Sequence, residues 1–179
     1  MNQITLIHQF DKLVSFTGHA LTSSDALKTS KDNLFDFLDQ NHDFYLQAKV
    51  EERSEIRNIV RKYEENSDHP YMIDFFLLGY MQRAIKNIEL TGKKNWLIRG
   101  LIASAIEDGI RDHRDTIELL AHLFVASEKQ NLNPEPEFRK IATIANNEPS
   151  IPGSKPMSQI LLEIPSIAHK INDERIKYS

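Results

Sequence analysis

The chain has 179 residues, 40% of them hydrophobic and 27% charged, with a formal net charge of −4 and no cysteine. A chain of this length fits one domain with at most an appended arm, and it buries about 70% of its unfolded surface without covalent staples. The missing thiols exclude a disulfide scaffold, a thiol nucleophile and a thiolate metal site, and the acidic balance opposes nonspecific binding of phosphate backbones.

Ile4, Ile7, Phe10, Leu13 and Val14 recur at helical spacing and predict a first helix over 3–16. The start of that segment lacks the basic residues and apolar stretch of a signal peptide. Gly18 and the polar run 22–25 interrupt the helix, leaving a short helical turn at 25–30. Asp32 or Asn33 is placed to cap the next helix, whose stripe is Leu34, Phe35 and Leu38. Asn41-His42-Asp43 splits that segment from Phe44 and Tyr45. Residues 49–66 read as a charged outer helix, docking through Val50, Ile56, Ile59, Val60 and Tyr63. Residues 31–70 hold ten acidic groups against six basic ones, so the remainder of the chain is balanced.

Pro70 has no amide hydrogen to lose at a first helical position, so 67–69 supply the cap for a helix over 70–90. Its apolar residues fall on nearly every side, which places it at the centre of the core. The densest run, Phe75-Phe76-Leu77-Leu78-Gly79-Tyr80-Met81, is far short of the ~20 apolar residues a membrane-spanning helix needs. A cytoplasmic protein is therefore expected. Gly92 suits the left-handed residue past the helix end.

Trp96, Leu97, Gly100, Leu101, Ser104 and Ala105 form one face of the following helix, with small residues one turn apart that admit a close neighbour. Asp108-Gly109 ends it. Asp112, with Asp115 three residues later, reads as the N-cap of a helix over 113–130 striped by Ile117, Leu120, Leu123 and Phe124. A proline-bearing loop at 131–136 precedes a short helix marked by Phe138, Ile141 and Ile144. The stretch 148–156, with three prolines and Gly153, is a linker. It separates a helical domain over 1–147 from a helical arm over 157–179, interrupted at Pro165, that docks on the domain or on a partner subunit. No strand pattern emerges. The expected fold class is all-α, as a multi-helix bundle or a short irregular stack of helical hairpins of the HEAT kind.

Candidate chemistry concentrates at the corner 107–122. Glu107, Asp112, His113, Glu118 and His122 are the residues from which a catalytic or small-molecule site would be built. Glu118 and His122 lie four apart and share a helix face, and carboxylate with imidazole is an acid–base pair or a ligand pair. The competing and preferred reading makes the acids helix caps and the arginines braces between helix ends. Asp39-x-x-His42 has half the spacing of a di-iron bundle motif, and the second half is missing. The seven histidines show no recognised ligand spacing, and neither a phosphate-cradling glycine loop nor a Gly-x-Ser-x-Gly elbow occurs. No metal and no cofactor are expected.

The segment 96–142 resembles a pattern in small, all-helical, uncharacterised bacterial proteins, some relatives of which resemble immunity proteins encoded beside polymorphic toxins. The likeness covers about a quarter of the chain and rests on Glu107-Asp108-Gly109, Arg111-Asp112 and Arg114-Asp115. It implies a helical fold and a protein partner, and it transfers no catalytic residue.

The leading expectation is a protein that works by binding another protein, with toxin immunity as its specific form. Asp36, Asp39, Asp43, Glu51, Glu52 and Glu55 would face a basic partner surface. The alternative is a small-molecule-binding protein or enzyme with its site at 107–122. A homodimer through 157–179 is a further expectation, and nucleic acid and membrane are not expected partners.

Overall fold

Helix α4 (Met72–Thr91) buries Ile73, Phe76, Leu77, Tyr80, Met81, Ala84 and Ile88, more of its circumference than a single stripe, so other helices must close on several of its sides. The computed structural model describes residues 2–18, 23–66, 72–108, 113–149 and 151–178. Among them the remaining helices are α1 (Gln3–Gly18), α2 (Ser24–Gln40), α3 (Val50–Asn66), α5 (Lys94–Glu107), α6 (Arg114–Lys129), α7 (Glu135–Ile144) and α8 (Met157–Tyr178). No strand occurs among the described residues. The fold is an all-α bundle. Helix α4 lies along α5 and α6 and touches α1, α2 and α3, while α1 packs on both α2 and α3. No helix among the described residues is long and apolar enough to cross a membrane.

Several elements differ from the sequence reading in their ends. Helix α2 is one rod from Ser24, not a turn followed by a helix, because Ser23 is the cap and its hydroxyl accepts from the Ala26 amide at 3.1 Å. Asp32 and Asn33 therefore lie inside the helix. Buried Ser30 meets the Thr17 hydroxyl at 2.5 Å and ties α2 to α1. After Gln40 the chain turns, and Phe44 packs edge-on against Phe37 at 5.2 Å between ring centroids. Gln3 donates to the Phe44 carbonyl and fastens the turn to α1.

The cap proposed for α4 at 67–69 lies outside the described residues. At its far end Gly92 takes φ 64° and its amide donates to the Ile88 carbonyl at 2.8 Å. Helix α5 ends on Asp108 in the left-handed region, φ 54°, with its amide on the Ser104 carbonyl. The cap position of α6 belongs to His113, whose side chain makes no capping bond. Asp112, the cap expected from the sequence, lies outside the described residues.

Helix α8 runs unbroken through Pro165, against the expected interruption. The proline withdraws one amide from the ladder, but Leu161, Ile164 and Ala168 beside it are fully buried and hold the segment in place. These residues, with Met157 and Ile160, pack on α6 and α7 as part of the same core as the other helices.

Candidate functional site

The ends of α3, α4, α5 and α6 meet in a buried polar junction. Glu64, Asp74, Glu107 and Asp108 are between 1% and 5% exposed there, so each carboxylate must be held by the protein. Glu64 Oε1 accepts from the Asp74 amide at 2.9 Å, setting an anion against the first turn of α4. Glu107 Oε2 accepts from the Thr116 hydroxyl at 2.8 Å and fastens the end of α5 to the start of α6. Asp108 Oδ2 receives Asn146 Nδ2 at 3.2 Å and lies 3.5 Å from the Arg61 guanidinium. Next to them the Tyr45 hydroxyl accepts from Arg57 at 2.6 Å. Burial pushes the Tyr45 phenol up in pKa, with the Arg57 guanidinium pulling against it.

His113 is 92% buried at this junction, and neither of its ring nitrogens has a hydrogen-bond partner among the described residues.

Glu118 and His122 stand on a different face of α6. With Asp115 and Leu119 they line a groove of about 530 Å³ against Phe75, Leu78, Gly79, Gln82 and Ile85 of α4. Glu107 and His113 do not line it. Helical phase explains the split: Thr116, Leu120, Leu123 and Ser127 turn into the core, and 115, 118, 119 and 122 turn toward the groove. Of the five corner residues, two sit in the junction, two in the groove, and Asp112 lies outside the described residues. Among the described residues no group of three His, Asp or Glu is arranged to hold a metal ion.

The six acidic residues of the expected partner surface also divide. Asp39 is engaged within the fold: its carboxylate accepts from the Tyr80 hydroxyl at 2.7 Å and from Arg83 at 2.6 Å, and its carbonyl accepts from Arg99 at 3.0 Å. The same two guanidiniums lie 5.5 Å and 4.5 Å from the centroid of Trp96. Burial, then the hydrogen bond to Asp39, drives the Tyr80 pKa far above its ordinary value. Glu52 serves as a cap, accepting the Lys49 amide at 2.9 Å, and Asp43 accepts from Gln47 at 2.8 Å. Asp36 is exposed beside a groove between α1 and α2.

Glu51 and Glu55 remain. They line a groove of about 290 Å³ between α1 and α3 together with Asp11 and Lys62; none of the three carboxylates has an ion pair among the described residues, so the lining keeps an excess of two negative charges. Sequence reasoning missed Asp11, because nothing local to α1 marks it; packing of α1 on α3 brings it to the glutamates. Comparison of the chain with protein-family models, with curated proteins and with solved structures finds no match.

Proposed function

We propose that the chain acts by binding a second protein through a basic surface of that partner, as an immunity protein would, and that its acidic α1/α3 groove makes the contact. The observation that carries this reading is the convergence of Asp11, Glu51 and Glu55 from two helices with no compensating ion pair of their own. Like charges gathered on one rim cost folding energy through mutual repulsion, and a partner cation relieves that cost on binding. Glu51 and Glu55 are exposed and Asp11 is half-buried, so the charges act mainly on encounter rate and choice of partner, with affinity set by buried anchors on either side. Glu51 also suits the positive end of the α3 dipole, so its place has a folding benefit as well.

The test uses proteins encoded beside the gene, presented one at a time to the immobilised chain. A basic neighbour is expected to be retained, with affinity falling as salt rises. Combined reversal of the rim, Asp11→Lys with Glu51→Lys and Glu55→Lys, is expected to weaken retention about tenfold or more, with the chain still folded and its melting temperature lowered only by the helix-end charge that Glu51 supplied. Equal retention by the reversed variant removes the α1/α3 surface from the account.

A further inference from the structure

Two depressions between α4 and α6, of about 530 Å³ and 210 Å³, meet at Ile85 and His122. Residues early in α4 face residues early in α6, and residues late in α4 face residues late in α6, so the two helices run in the same direction. From Phe75 to Glu89 the joined trench is roughly 20 Å long, or about four helical turns.

Its floor is apolar and low. Leu78, Ile85 and Leu119 line one end, and Ala121, Ala126 and Ala168 keep the other shallow-sided. At the open end Phe75 is 55% exposed, a large ring held at the surface whose burial by a partner is favourable. The rim is acidic. Asp115, Glu118 and Glu89 are all exposed, and none has a side-chain hydrogen bond or ion pair among the described residues. Among the described residues Lys129 is the one lysine or arginine that lines the trench, at its far end.

We infer that this trench receives an amphipathic helix of a partner protein, apolar on the side that enters and basic along its flanks. The length suits anchors at positions i, i+3 or i+4, and i+7 of such a helix, which is the spacing by which grooves between helices read their ligands. Unpaired carboxylates on the rim select lysine and arginine flanks and repel an acidic helix or a phosphate backbone. A second copy of this chain is the poorer occupant, because each copy carries a net charge of −4 and the same acidic trench, so the two repel. The inference rests on the protein-binding role proposed above and names the partner's contacting element, but it does not depend on the α1/α3 surface.

The probe is a fluorescent peptide of about 15 residues with leucines on one helical face and lysines on the other, measured by anisotropy against the full chain. Binding is expected, and it is expected to weaken about tenfold with Asp115→Lys and Glu118→Lys together, and also with Phe75→Ala. All three positions are exposed, and unchanged melting is the check on folding. Reversal of Asp11, Glu51 and Glu55 is expected to leave peptide binding as it was, so loss of one surface is separable from loss of the other. Equal binding of a leucine–glutamate peptide, or of a scrambled leucine–lysine peptide, overturns the inference. So does a dimer in sedimentation that the Asp115/Glu118 reversal dissolves, which would assign the trench to self-association.

Discussion

A carboxylate on an outer helix can meet a partner only when its own fold leaves it unengaged, and Asp39 is engaged by three neighbours. Its link to Tyr80 has a consequence at high pH. The Tyr80 phenol is held protonated in the folded chain well above the ordinary tyrosine value, first by burial and then by its bond to Asp39. The unfolded chain releases that proton near pH ~10. The stabilisation is therefore complete below that value and is lost as pH rises beyond it, since the unfolded state then binds fewer protons than the native one. Tyr80→Phe is expected to flatten the alkaline limb of a stability–pH curve, by about half of ~1.4 kcal/mol per pH unit at pH ~10 and approaching ~1.4 about a unit higher. Urea titrations across that range make the measurement, and an unchanged slope contradicts the assignment. Tyr45, also raised, keeps its own share of the alkaline loss.

Among elements, α5 has little room at Gly100. A Cβ built on Gly100 would lie 3.0 Å from one methyl of Leu123 on α6 and 3.2 Å from the Ala84 Cβ on α4. The leucine end has freedom to move; the alanine Cβ is fixed to its backbone. Gly100→Val should therefore cost about 1–3 kcal/mol by overpacking, read as a lower urea midpoint. The small-residue face of α5 was visible in the sequence, because glycine, serine and alanine one turn apart leave a flat strip on any helix. Which neighbours press on that strip was not, since crossing geometry depends on side chains far along the chain. The same limit applies to the corner. Glu107 and Glu118 looked like one site because 11 positions separate them in sequence, but a helix boundary and the phase of α6 send them to opposite sides.

At the scale of the molecule, the question is whether α8 unfolds with the body. Leu161 is fully buried, while its neighbour Leu162 is 55% exposed. Leu161→Ala is expected to destabilise by about 2–5 kcal/mol, and Leu162→Ala by no more than ~0.5 kcal/mol. Because Met157, Ile160, Leu161, Ile164 and Ala168 belong to the common core, melting should remain a single transition in both variants. Two resolved transitions in calorimetry would instead make α8 a separately folding arm.

The sequence by itself determined where most helices lie, their apolar stripes, and ends such as Gly92 and Asp108, though not the continuity of α2 or of α8. Those features arise from periodicity and backbone preference within a few residues. It also specified the central place of α4, since a helix apolar on several sides has nowhere else to go. Only the tertiary structure decided which charges are engaged and which face outward. Asp39 meets Tyr80 across 41 positions, and Asp11 comes to Glu51 only because α1 lies on α3. Such meetings depend on the rotation and crossing of whole helices, each set by the summed packing of the core, and no short window of residues contains that sum.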